Sequence, residues 1–241
     1  MTKHLPRFRP NGLRTNTVSL RPMTENVNTP RPYRSANRSE QAAATRRSIL
    51  EAARELFVEQ GYLRTTVTRI ADRAGVNVDT LYAAVGRKPA ILRELVETAI
   101  SGADQAIPAE RRAYVQAVRA AGTATEKIAL YAAAVTEMAP RTAPIFRALR
   151  DAAITDPSCS QLYAEITGRR AVSMRLFATD LRSTGSVRAD LSDSEVTDIV
   201  WTMNSFEYYL SLVALCGWTS ARFEHHLTDA WCRLLLTRPD R

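Results

Sequence analysis

Residues 46–93, RRSILEAARELFVEQGYLRTTVTRIADRAGVNVDTLYAAVGRKPAILR, constrain this chain more than any other stretch. Apolar residues at Ile49, Ala52, Ala53, Leu56 and Phe57 follow the spacing i, i+3, i+4, i+7, i+8, one face of an amphipathic helix. Gly61 ends it. The Thr66 hydroxyl can accept an orphan backbone N–H and so start a short helix through Val67, Ile70, Ala71 and Ala74. Gly75 breaks that helix, Val76 turns back to the core, and Asn77 caps a second short helix over 78–85. Two short helices around a glycine turn, behind a longer helix, are the layout of a helix-turn-helix DNA reader. Pro89 then suits the first turn of a fourth helix carrying Ile91, Leu92, Leu95, Val96 and Ala99, which links this head to the body.

Ala53, Phe57, Gly61-Tyr62, Thr65-Thr66, Ile70-Ala71, Ala74-Gly75-Val76, Thr80-Leu81-Tyr82 and Lys88 stand in one unbroken stretch. In order and spacing they resemble the N-terminal domain of the tetracycline-repressor (TetR) family. Outside roughly 50 residues the likeness is confined to length, helicity and a few late residues. The resemblance implies an all-α protein: a three-helix helix-turn-helix DNA-binding domain followed by a helical ligand-binding and dimerisation domain.

The charge distribution points the same way. Residues 1–45 carry eight basic and two acidic groups, 46–100 carry nine and seven, and 101–241 carry sixteen of each. The net +8 therefore sits entirely at the end assigned to DNA, where counterion release requires it. Apolar residues make up 45% of the chain, ample for a core, yet no 18-residue uncharged apolar run occurs. A membrane span is not expected, nor is a secretory signal, since the basic N-terminus lacks an apolar core segment. Cys159, Cys216 and Cys232 form no CxxC pair, which fits a reducing cytoplasm.

Residues 1–40 contain five prolines and few large apolar groups, and are expected to be a disordered basic tail. It is read as a solvated tail, as an arm placing Arg31, Arg34 and Arg38 near a minor groove, or as an extension upstream of a true start at Met23. Residues 41–100 are the expected DNA-binding domain and 101–241 the ligand-binding and dimerisation domain. Helices are expected over about 110–121, 124–138, 143–154, 158–183, 192–216 and 219–237. Gly122 and Pro140 interrupt, Asp156-Pro157 starts a helix, Ser192 with Glu195 forms a capping box, and Gly217 separates the last two segments. No segment alternates with period two, so no sheet is expected.

Matching positions to the family pattern implies base or backbone contacts for Thr68, Asn77, Asp79, Thr80 and Tyr82, and phosphate contacts for Thr66 and Lys88. The chemistry agrees. Thr66 offers a hydroxyl at a helix N-terminus, Lys88 a point charge, Tyr82 a ring and a phenol, and Thr80 a methyl for thymine. Asn77 can equally serve only as a cap, and Asp79 can merely oppose the helix dipole unless it accepts from cytosine N4. After Tyr82 the family's usual aromatic or imidazole residues are replaced by Ala83, Ala84 and Val85, so direct base readout is thin and DNA shape carries more of the specificity.

In the body, the family likeness implies a small-molecule pocket and a dimer built on the last two helices. The segments 196–216 and 227–236 are apolar enough to need burial on more than one side. Tyr131, Met138, Phe146, Tyr163, Met174, Phe177, Trp201, Met203 and Phe206 can line a cavity or simply fill the core. Arg147 lies on the helix of Phe146, and Asn204 and Glu207 interrupt the most apolar helix. Glu207 is read either as a pocket group or as a dimer-interface carboxylate. With only three histidines and no nucleophile, phosphate-loop, zinc or dinucleotide motif, no enzyme, metal or cofactor is expected. The sequence therefore reads as a cytoplasmic regulator, most simply a repressor. It would bind a palindromic DNA operator as a homodimer and be released by a small hydrophobic or amphipathic effector. The alternative is a DNA-binding regulator with no small-molecule ligand, controlled by a protein partner.

Overall fold

The computed structural model describes residues 32–237, with side chains from residue 38 onward. Its elements are α1 (Pro32–Gln60), α2 (Val67–Ala74), α3 (Val78–Val85), α4 (Lys88–Ser101), a 3-10 turn (Ala109–Arg111), α5 (Ala113–Ala120), α6 (Ala124–Ala153), α7 (Pro157–Arg182), α8 (Asp193–Met203), α9 (Phe206–Tyr209), a π-helical segment (Leu210–Leu215) and α10 (Ser220–Leu235). The fold is all-α. Among the described residues the only β pairing is an isolated bridge between Val187 and Leu236. None of these helices is long and apolar enough to cross a membrane.

The local signals explain most boundaries. Thr66 accepts from Arg69 N at 3.2 Å and Asn77 from Thr80 N at 2.6 Å, each satisfying a donor that its helix cannot. Gly75 closes α2 at φ 70°, a left-handed conformation that a side chain disfavours. Asp156 accepts from Ser158 N and Cys159 N to start α7, with Pro157 at its first position. Both Thr123–Glu126 and Ser192–Glu195 form complete capping boxes.

Three expectations are corrected. The tail does not extend to residue 40, because α1 begins at Pro32; residues 1–31, Arg31 among them, lie outside the described residues, as does the Arg34 side chain. Pro140 does not interrupt: α6 runs unbroken from Ala124 to Ala153 with Pro140 and Pro144 inside it. Packing supplies the reason. Ala132, Val135, Ala139, Ala143 and Ile145 are buried on both sides of the proline, and that burial outweighs the missing N–H groups. Conversely, 192–216 is not one helix. Asn204 ends α8, and Ser205 starts α9 by accepting from Tyr208 N at 3.1 Å.

Two hydrophobic cores result. The first joins Ile49, Phe57, Ile70, Leu81, Ile91 and Leu92 of α1–α4 to Ile145 and Leu149 of α6 and to Cys159, Leu162 and Ile166 of α7. The second holds Ile128, Tyr131, Met174, Phe177, Val200, Phe223, Leu227 and Trp231. The head is thus packed directly on the C-terminal half of α6 and the N-terminal half of α7, and the core crosses residue 100.

Candidate functional site

The helix-turn-helix face is built by burial of its other side. Ile70, Ala71, Leu81 and Val85 are buried against α1, which turns Thr66, Thr68, Asn77, Asp79, Tyr82 and Ala83 outward. Thr80 is half-buried, and Tyr82 is 46% exposed. Leu81 and Val85 are core, as their spacing predicts.

Lys88 is more deeply engaged than a surface charge. Its Nζ donates to Tyr62 O at 2.9 Å and to Thr65 O at 3.0 Å, and it lies 4.0 Å above the Tyr62 ring. Two of its three N–H donors are therefore spent on the turn between α1 and α2. Burial pushes the Lys88 ammonium below its usual pKa. Thr65 is fully buried, donating toward Leu56 O and Gly61 O while accepting from Gln60 Nε2. Tyr62 reaches into the body, its hydroxyl donating to Asp156 Oδ2 at 3.0 Å. Its phenol is pushed well above the usual value, first by burial. One contact chain thus runs from the start of α4, through the α1–α2 turn, to the cap of α7.

The second feature is a half-open cavity of about 920 Å³ lined by α4, α6, α7, the 106–114 segment and the α8–α9 break. From the sequence-predicted set it brings together Tyr131, Met138, Phe146, Met174, Asn204 and Phe206. Six predicted residues do not line it, among them Met203, which is buried in the second core. Arg147 is exposed on the outer face of α6, and Tyr163 packs at the edge of the first core. Phe177 is buried behind Tyr131, with ring centroids 4.6 Å apart. Trp201 lies under the Arg170 guanidinium at 4.0 Å. Glu207 pairs with Arg150 at 3.4 Å. Trp231, assigned from sequence to the dimer surface, is instead fully buried and stacked on Tyr131 with centroids 5.6 Å apart.

The residue that sequence reasoning missed is Arg170, which lines the cavity. Its Nε donates to Asn204 Oδ1 at 2.8 Å, and its Nη2 donates to Asn204 Oδ1 and Trp201 O. Asn204 Nδ2 in turn donates to the Tyr131 hydroxyl. The signal was present: Arg170 falls at spacing four between Ile166 and Met174, both buried, so it occupies a core-facing position of α7. The cavity wall also carries the ties between α4 and α7. Arg169 pairs with Glu97, and nearby Arg93 grips Glu165 with two hydrogen bonds of 2.8 and 2.7 Å.

A helix pair buried on one side and exposed on the other, seated on a hollow helical body, has the layout of a helix-turn-helix DNA reader. Residues 49–95 match the family model of the bacterial regulatory proteins, tetR family. This match covers the helix-turn-helix head, and the fold of the chain is similar to that of solved TetR-family regulators. Among solved structures it is similar to FadR of Bacillus subtilis in complex with stearoyl-CoA, with a TM-score of 0.62, 19% identity, and 76% of this chain and 96% of that one covered. It is likewise similar to the ketosteroid regulator KstR2 of Mycobacterium tuberculosis, with a TM-score of 0.57, 19% identity, and 80% and 95% covered. A third similar structure is SmeT with triclosan, with a TM-score of 0.64, 18% identity, and 80% and 92% covered. Among curated protein sequences there is no match.

Proposed function

We propose that this chain is a homodimeric transcriptional repressor that grips a near-palindromic duplex and lets go when a small amphipathic effector fills its cavity. The observation that carries the reading is the shared wall: Glu97 and Ile100 of α4, the helix that follows the DNA-reading pair, line the same cavity as residues of α6 and α7. Filling the cavity therefore bears on the position of the head. Similar proteins are recorded with stearoyl-CoA and with triclosan, which supports a small-molecule role for the hollow body.

Residues 41–100 act as the DNA-binding domain and 101–241 as the effector and dimerisation domain. Thr68, Asn77, Asp79, Thr80 and Tyr82 face the major groove, and Thr66 and Lys88 face phosphates. Two heads spaced by roughly 34–36 Å meet successive turns of one duplex face. Dimerisation falls to the α8–α10 face, where Leu215 is 83% and Leu234 41% exposed. The test is nuclease protection on the promoter DNA flanking the gene. A protected palindrome that disappears with an amphipathic compound is the expected result. No protected site at low salt would end the reading. A site that no compound releases would leave a regulator controlled by a partner protein.

A further inference from the structure

Arg170 is a largely enclosed guanidinium whose protein partners are all neutral: the Asn204 side-chain oxygen, the Trp201 carbonyl and the Trp201 ring. No carboxylate lies within ion-pair distance of it among the described residues. Glu207, a carboxylate whose charge is felt at Arg170, is instead paired with Arg150 at 3.4 Å. Arg169 next to it is matched by Glu97. Burying an unneutralised charge is costly, and Arg does not shed its proton to escape that cost. Nη1 has no hydrogen-bond partner among the described residues. The fork thus retains donor capacity on the wall of a largely apolar cavity, whose other charged lining groups, Glu97, Glu110, Arg112 and Arg169, balance one another.

We propose that the cavity takes an amphipathic anion, whose carboxylate or equivalent acidic head pairs with Arg170 while its apolar body packs on Tyr131, Val135, Met138, Phe146 and Met174. This rests on the reading of the cavity as the effector site, and deepens it by naming the charge of the ligand. Asn204 is the positioning residue. It holds the fork through Oδ1 and is itself held by the Tyr131 hydroxyl, so the guanidinium plane is fixed before the ligand arrives. Arg suits this role better than Lys, because its planar fork matches both oxygens of a carboxylate.

The experiment compares decanoate, 1-decanol and decyltrimethylammonium by titration calorimetry on the full chain. Decanoate is expected to bind at one saturable site per chain, at least roughly tenfold tighter than the alcohol, in line with a charge-assisted hydrogen bond. In Arg170→Gln that preference should vanish while decanol binding persists, which also shows the variant folded. Should Arg170→Gln not fold, Arg170→Lys is the second variant, expected to retain part of the preference. Equal binding of all three compounds by the unaltered protein, or undiminished decanoate binding by Arg170→Gln, overturns the proposal. Binding of none overturns both it and the pocket reading. Arg170-dependent decanoate binding that never changes DNA affinity upholds the anion and removes the regulator reading of the cavity.

Discussion

At Lys88 the fold and the proposed phosphate contact draw on one ammonium. Its ammonium bridges two carbonyls of the turn that carries Thr65 and Thr66, with one donor to spare. Lys88→Ala should therefore weaken binding to every duplex and flatten the salt dependence by about one unit, as expected for one lost phosphate contact. It should also lower the thermal midpoint, because the Tyr62 and Thr65 carbonyls lose their donor; a drop in midpoint with an unchanged salt slope would make Lys88 purely structural. Lys127 is a cleaner structural case. It is buried, 2.9 Å from Asp180 Oδ2 in an ion pair without the alignment of a hydrogen bond, and it donates to Val118 O at 2.9 Å and Arg119 O at 3.2 Å. Lys127→Ala should cost about 3 kcal/mol in urea unfolding, since it strands Asp180 and two carbonyls. At this scale the sequence was legible where residues repeat a known pattern, as at Thr66 and Asn77. It was opaque where a charge sits on a core face. Arg170 and Lys127 both occupy helical positions between buried neighbours, yet in a chain with 33 basic residues neither stands out until the packing is known.

At the scale of elements, caps were the reliable signal because each is a local hydrogen-bond requirement. Asp156, Ser192 and Thr219 each start a helix as their side chains demand. Proline misled, because its cost is local while the compensation is tertiary. The carbonyls of Thr136 and Pro140 lack their helical donors within α6, and burial of the opposite face holds the helix together. Pro140 itself is exposed, so Pro140→Ala should restore one bond and raise the unfolding free energy by about 1–3 kcal/mol, measured by urea midpoint. The α4–α7 contact carries a pH signature. The Arg93 guanidinium holds the Glu165 carboxyl below its usual pKa. A depressed carboxylate adds stability that is complete above its ordinary range and is lost as pH falls through the lowered value. Both groups are largely exposed, so the effect is small. Melting curves of the unaltered protein and Glu165→Gln should differ at neutral pH and converge in acid; a constant difference would show that the pair adds no pH-linked stability.

For the whole molecule, the position of the head on the body decides whether a cavity can govern DNA binding. The head's core continues into α6 and α7, and Tyr62 is tied to the cap of α7. The sequence located the head and the hollow body but not this joint, because the joint depends on residues far apart in the chain. Cavity and head share α4, whose links to α7 are Arg93–Glu165 and Arg169–Glu97. An effector shifts an equilibrium only by its difference in affinity between two arrangements. If the Arg93–Glu165 pair helps to set the arrangements, removing it should shrink that difference without emptying the cavity. The double variant Arg93→Gln with Glu165→Gln is expected to bind decanoate within about twofold of the unaltered protein, because neither side chain lines the cavity. Its DNA affinity should respond less. The ratio of duplex Kd with and without saturating decanoate should move toward one, by a factor within the roughly 5–150-fold range of ordinary coupling. Fluorescence anisotropy on one labelled duplex at fixed salt measures both constants. An unchanged ratio would mean that the signal passes from the cavity to the head through the packed core of α6 and α7 and not through this charged tie on α4.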